Sequence, residues 1–288
     1  MAKAIVFIGE DHYFNSMSKN WELPFFLSIP HSGEQVPDNV AWLQNLPEVT
    51  LMRDVDRYVD KLYQPAINDL NLPNIVTQWH RYVVDLNRKE DQYDATAVVG
   101  APLAAGKEPK GLHWSQTTHG EILINEPMTQ DLHNELVQKY YKPFHQQVQK
   151  LRQEMLSQFK VVYHLDLHSM PSVGTSLHTD PGQERPEIVV SDYHGEKSNS
   201  DFRDIVMKAY QEAGFQVGYN FPYVGGGITR MYGEPEKGFN TIQIEMNRKL
   251  YMNEETKMLN DDTLVGVQKK LSQAISKVKK DLGELING

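Results

Sequence analysis

At 288 residues with a net charge of −9, the chain suits one large α/β domain, and neither nucleic acid nor an anionic membrane is a fitting partner. It has no cysteine, which removes disulfides, Cys-ligated zinc, iron–sulfur clusters and thiol nucleophiles together and leaves His, Asp or Glu to hold any metal. With 40% hydrophobic and 23% charged residues, disordered and collagen-like classes are excluded.

The apolar run Ala4–Ile8 meets Gly9-Glu10-Asp11 at once, too short for a signal h-region. No stretch has transmembrane length, so the cytoplasm is the expected location. Phe25–Pro30 reads as a buried strand that delivers His31 into a loop. Next, Val55, Tyr58, Val59, Leu62, Tyr63, Ala66, Ile67 and Leu70 keep helical spacing, predicting a helix capped by Asp54 and kinked or split at Pro65. Asp56 and Asp60 flank its apolar stripe, and either can face a site beneath it. Asn74–Trp79 and Arg81–Leu86 read as strands; Arg88 then suits a substrate carboxylate and Asp85 a structural ion pair. From Lys89 to Glu126, Gly, Pro and Thr are frequent and Gly111-Leu-His-Trp114 sits in the middle, which predicts a loop covering a site.

After Thr129, the spacing of Leu132, Leu136, Tyr140, Phe144, Val148, Leu151 and Met155 predicts a long helix kinked at Pro143. Val161–Met170 follows as a buried strand stopped by Pro171. Its period of two puts His164, Asp166 and His168 on one face, near the carboxyl end where ligands bind in open α/β sheets. His164 alone reads as a hydrogen-bonded core histidine. Glu187–Ser191 is another strand, and Ser200–Ala213 a helix closed by Gly214. Between Asn220 and Arg230 stand the consecutive glycines Gly225, Gly226 and Gly227, suited to a backbone approaching a ligand, with Arg230 as a second carboxylate candidate. In Asn240–Arg248, Gln243, Glu245 and Asn247 share a face. Leu250-Tyr251-Met252 suggests that this strand is covered, and a covered Glu245 needs a partner or a job. An amphipathic helix from about Asp262 closes the chain.

His31, His168 and a carboxylate near residue 56 form a possible two-histidine, one-carboxylate metal set with Glu245 as an unliganded acid, the equipment of a metallohydrolase. Pro30-His-Ser-Gly33, Asp56-Arg-Tyr-Val-Asp-Lys-Leu-Tyr63, Arg81-Tyr-Val-Val-Asp-Leu-Asn-Arg88, Asp166-Leu-His-Ser-Met-Pro171, Asn220-Phe-Pro-Tyr-Val-Gly-Gly and Gln243-Ile-Glu-Met-Asn-Arg-Lys-Leu-Tyr-Met252 together resemble the N-formylglutamate amidohydrolases. The resemblance implies a zinc-peptidase-like α/β fold related to the metallocarboxypeptidases, three-layered, its mixed and mostly parallel sheet flanked by helices on both faces. It implies hydrolysis of N-formyl-L-glutamate, or a related N-acyl amino acid, in histidine breakdown, by a single amidohydrolase domain over 1–288 with one Zn2+. It puts the metal on His31, Asp56 and His168, which selects Asp56 over Asp54 and Asp60, and the general base on Glu245. Arg88, Arg230 and Asn220 fall on substrate-binding positions for a small anionic substrate. The alternatives are a carboxypeptidase-like hydrolase of short peptides and a non-catalytic small-molecule binder. Nothing in the sequence reads out an oligomeric state.

Overall fold

Runs of Val, Ile, Leu and Phe, buried on both faces, build the centre of one mixed sheet. A computed structural model describes residues 6–7, 12–15, 21–101, 110–176 and 178–288, so the apolar run Ala4–Ile8 is described only at Val6–Phe7. The strands are β1 (Val6–Phe7), β2 (His12–Asn15), β3 (Phe25–Ile29), β4 (Asn74–Thr77), β5 (Val162–Met170), β6 (Ile188–Ser191), β7 (Val217–Tyr219) and β8 (Phe239–Asn247). Their order is β1-β2-β4-β3-β5-β8-β6-β7. The central strands β4, β3, β5 and β8 are mutually parallel, while β6 runs antiparallel to β8 and β2 antiparallel to β4.

The helices are α1 (Ala41–Gln44), α2 (Glu48–Leu51), α3 (Val59–Asp69), α4 (Gln130–Leu136), α5 (Lys142–Leu156), α6 (Ser200–Glu212), α7 (Gly227–Tyr232) and α8 (Asp261–Asn287). Alternation along β5 sorts them into two layers. Tyr163, Leu165 and Leu167 pack with α3, α6 and α8, whereas Phe26 and Val162 pack with α4, α5 and α7 on the other face. The α/β, three-layer, mostly parallel architecture is therefore the one expected. β8 lies between β5 and β6, so Glu245 stands on an interior strand.

The structure refines five local expectations. The helix expected from Val55 begins at Val59, because Tyr58 holds φ 71° and turns the chain there. Asp54 is accordingly no N-cap; its carboxylate accepts the Tyr82 hydroxyl at 2.6 Å and the Thr118 N–H at 3.0 Å. Pro65 does not split α3 into two elements: the Lys61 carbonyl that its missing N–H would have bonded accepts Gln268 Nε2 of α8 at 3.0 Å. Arg81–Leu86 is a run of turns and not a strand, its N–H groups bonding locally (Val83 to His80 O) or to the covering loop (Asp85 to Leu112 O). Pro143 sits just past a π turn at Val137–Tyr141, and the wider turn carries the helix through it.

Candidate metal and active site

Parallel pairing of β3 with β5 brings their carboxyl ends side by side, so His31 and His168 emerge at one edge of the sheet. In β8, Glu245 is the register partner of His168. Asp56 arrives from the turn before α3, with its backbone N–H donating to His31 O at 2.9 Å. One ligand atom from each of His31, Asp56 and His168 lies within 4.8 Å of the others. His168 Nδ1 is 3.1 Å and His31 Nδ1 3.5 Å from Asp56 Oδ2.

Both imidazoles face this point with the same nitrogen for the same reason. His31 Nε2 donates to Asp85 Oδ1 at 2.7 Å and His168 Nε2 to Asp166 Oδ2 at 2.7 Å. Ionised carboxylates only accept, so each pairing fixes the Nε2–H tautomer and turns an Nδ1 lone pair inward. His31 Nδ1 is buried without a hydrogen-bond partner, as a nitrogen awaiting an ion would be. Two imidazoles and one carboxylate, converging and oriented from behind, fit a zinc ion with an open fourth position.

Burial opposes charge throughout, and partners decide the outcome. Burial pushes Asp56 and Asp85 up, but His168 and His31 hold Asp56 well below the usual range, and His31, Arg81 and Arg88 do the same for Asp85. Burial would lower His168, and the Asp166 carboxylate outweighs it, leaving the imidazole well above its ordinary value when no metal is bound. Glu245 lacks such a partner. Desolvation raises it to about 7, the value expected of a group that both takes and returns a proton near neutrality. Its Oε1 accepts Gln243 Nε2 at 2.8 Å, and Gln243 Oε1 accepts the Gly226 N–H at 2.7 Å.

These groups line a cavity of about 420 Å³, whose wall also includes Arg81, Arg88, Lys110, Arg230, Arg248 and Tyr223. An acidic chain thus encloses a cationic pocket. Arg230 stands on α7 with its Nε buried and unpartnered and its guanidinium 5.7 Å from the Tyr193 ring centroid. Arg88 gives Nε to Lys110 O at 2.7 Å and Nη1 to Asn87 O at 3.0 Å, which leaves Nη2. A Cβ on Gly226 would stand 2.1 Å from Asn87 Nδ2, and one on Gly227 2.4 Å from Asn87 O. The consecutive glycines therefore let α7 lie directly on the Asn87–Arg88 backbone, with Gly227 N–H donating to Asn87 O at 3.1 Å. The loop after Arg88 covers the site through Lys110, Trp114 and Thr118, while its residues 102–109 lie outside the described residues.

Of the residues singled out from sequence, His31, Asp56, His168, Glu245, Arg88 and Arg230 meet in this cavity. Asn220 does not: its amide is engaged with Asp192, donating to Oδ1 at 3.0 Å and accepting the Asp192 N–H at 3.1 Å, so it shapes the turn after β7. Asp85, read as a structural ion pair, also binds Arg81 at 2.9 Å, yet its contact with His31 makes it part of the site. Arg248 escaped notice altogether; it clamps Asp56 Oδ1 at 3.0 Å. Its place three residues after Glu245, just past the strand end, was the available signal. His164 stacks on Phe26 with ring centroids 4.2 Å apart and contacts Ser28 Oγ at 2.8 Å, in keeping with its core role.

The family described as N-formylglutamate amidohydrolase matches residues 23–252. A Pseudomonas putida N-formylglutamate deformylase is 27% identical over 235 residues, covering 81% of this chain and 83% of that protein. Its counterpart from Pseudomonas aeruginosa is 26% identical over 246 residues, 82% of this chain and 85% of that one. The crystal structure of N-formylglutamate amidohydrolase from Ralstonia eutropha JMP134 superposes with a TM-score of 0.79 at 26% identity, over 92% of this chain and 94% of that one.

Proposed function

This chain belongs to the N-formylglutamate amidohydrolase family, and on that premise we propose a reaction and a role for each residue of the cavity. The protein is a hydrolase that cleaves N-formyl-L-glutamate to glutamate and formate. The observation that carries the residue assignment is the inward convergence of His31 Nδ1, His168 Nδ1 and Asp56 beside Glu245. One zinc held by those three residues would polarise the amide carbonyl and acidify a water molecule.

Glu245 takes a proton from the attacking water and returns it to the departing amine nitrogen, a double duty suited to a carboxyl raised to about 7. Water oxygen adds to the formyl carbon, the C–N bond breaks, and formate leaves. Gln243 fixes Glu245 through Oε1. Arg88 and Arg230 each offer uncommitted N–H groups to the substrate's two carboxylates. Asp85, Asp166 and Arg248 hold the metal ligands in orientation. Among the described residues no helix is long and apolar enough to cross a membrane. The reading places the enzyme in the cytoplasm, in histidine breakdown, as a single domain.

Metal analysis with a formate-release assay tests this. About one zinc per chain is expected from the three-ligand site, with activity lost on chelation and restored by added zinc. Undiminished formate release by the stripped protein contradicts the metal assignment, and amino acid release from dipeptides in place of formate release contradicts the substrate.

A further inference from the structure

Between β5 and β6 a short flap ends in a buried ion pair that no role assigned so far uses. Arg185 grips Asp180 with two hydrogen bonds, Nε to Oδ2 and Nη2 to Oδ1, both 2.7 Å, and each side chain is 1% exposed. The turn is shaped for this grip. Gly174 passes so close that a Cβ there would stand 2.0 Å from Asp180 O. The remaining guanidinium nitrogen, Nη1, donates to the Tyr223 hydroxyl at 3.1 Å, and the guanidinium carbon lies 5.1 Å from the Tyr223 ring centroid. Tyr223 lines the catalytic cavity together with His168 and Glu245.

A hydroxyl that accepts a hydrogen bond from a cation is a stronger donor, because the cation withdraws electron density from oxygen. The Tyr223 proton has no acceptor among the described residues. Burial and the neighbouring Glu245 carboxylate keep the phenol protonated, so it remains a donor. Arg88 and Arg230 are assigned to the substrate's carboxylates, and three further donors beside the metal ligands are engaged with the protein. Arg81 serves Asp54 O and Asp85, Arg248 serves Ser169, Arg53 O and Asp56, and the Ser169 hydroxyl serves Asp56. Turning any of these towards substrate would strip a buried carboxylate or carbonyl of its partner.

We infer that Tyr223 is a catalytic residue, donating a hydrogen bond to the formyl oxygen as negative charge builds on it, and that Arg185 and Asp180 are positioning residues for that hydroxyl. The inference rests on the hydrolase reading above. As water oxygen bonds to the formyl carbon, the C=O π pair moves onto oxygen, where Tyr223 meets it without giving up its proton. The pair then returns, the C–N bond breaks, and the nitrogen receives the proton held by Glu245.

The test is Tyr223→Phe in zinc-loaded enzyme, a change that removes one oxygen. Loss of one such donor lowers kcat by about 10²–10³-fold, with KM, metal content and melting temperature expected to stay at wild-type values. Wild-type kcat, or a loss confined to KM, overturns the catalytic role. Arg185→Met should also lower kcat, and the double variant should be no slower than Tyr223→Phe alone, since Arg185 acts through Tyr223. Independent, multiplying losses overturn the positioning role even if the Arg185 variant is less stable. A wild type that releases no formate sinks the hydrolase reading and this inference with it. A wild type that turns over and is matched by Tyr223→Phe sinks this inference alone.

Discussion

His31 meets Asp85 through Nε2 at 2.7 Å, and that contact decides which nitrogen faces the metal position. Asp85 is itself fully buried and held by Arg81, Trp114 Nε1 and the Asn87 N–H. The orientation of one ligand therefore depends on residues from two separate stretches. Asp85→Asn can present its amide nitrogen in place of an acceptor. Zinc affinity is expected to fall by about 10–100-fold, measured by competition with a chromophoric chelator; unchanged affinity would show that His31 is oriented without Asp85.

Glu245→Gln keeps the shape of the side chain and removes its base. Losing a general base costs about 10²–10⁴ in rate, so kcat should fall by that order while zinc content stays at the wild-type level. Loss of metal in this variant would instead mark Glu245 as a ligand.

Arg230→Met removes an uncommitted cation from the cavity without touching the metal cluster. An interaction made equally in ground and transition states shows in KM, so KM for N-formylglutamate should rise at least tenfold with kcat little changed. The discrimination against N-formylalanine, which lacks the second carboxylate, should shrink in this variant or in Arg88→Met. If neither substitution alters the preference, the arginines do not read the side chain.

Stability of the metal-free protein should fall as pH drops from 6.5 towards 4.5. Burial lowers His80 and His164 to about 3 and His113 to about 4. Their folded values lie below the ordinary 6.5, so the unfolded chain binds these three protons first, and the stability present above 6.5 is lost on acidification. Glu245 works the other way, because at about 7 it holds a proton in the folded chain that the unfolded chain, at 4.5, has released. The lowered histidines outnumber Glu245, so the net effect is a loss of stability on acidification. Urea midpoints at pH 7, 6 and 5 check it, and a flat or rising series rules it out.

Leu165 on β5 is fully buried among α3, α6 and α8 residues. Leu165→Ala should cost about 2–5 kcal/mol, read by denaturant melts, with the cavity on the opposite face left intact and kcat at the wild-type value in the folded fraction.

The strands that hold the site were legible because strand periodicity and polarity coincide there: in β5 and β8 the apolar and polar residues alternate, and the polar face carries His168, Gln243 and Glu245 into the cavity. His31 was found by its position after Pro30, at a strand end. Arg81–Leu86 misled because Val83 and Val84 are β-branched and buried, as strand residues are, while their backbone bonds run to a loop that no local pattern reveals. Asp54 misled for a similar reason, its partners Tyr82 and Thr118 being 28 and 64 residues away. Arg248 offered only its place just past the end of β8, and Tyr223 offered nothing local, because their meaning comes from Asp56 and from Arg185, contacts that exist only after the sheet has formed.

The bare backbone of Gly226 and Gly227 against Asn87 makes a calliper of the pocket. Arg230 rides on one jaw and Arg88 on the other, and the jaws are pinned by Gly227 N–H to Asn87 O and Ile228 N–H to Asn87 Oδ1 at 2.7 Å. The gap between the two guanidinium groups is thus set by main chain and not by flexible side chains alone. With Arg88 and Arg230 assigned to the two carboxylates as proposed, the chain length of a dicarboxylic substrate would be a quantity the protein measures, and a methyl group added at Gly227 would reset the gauge.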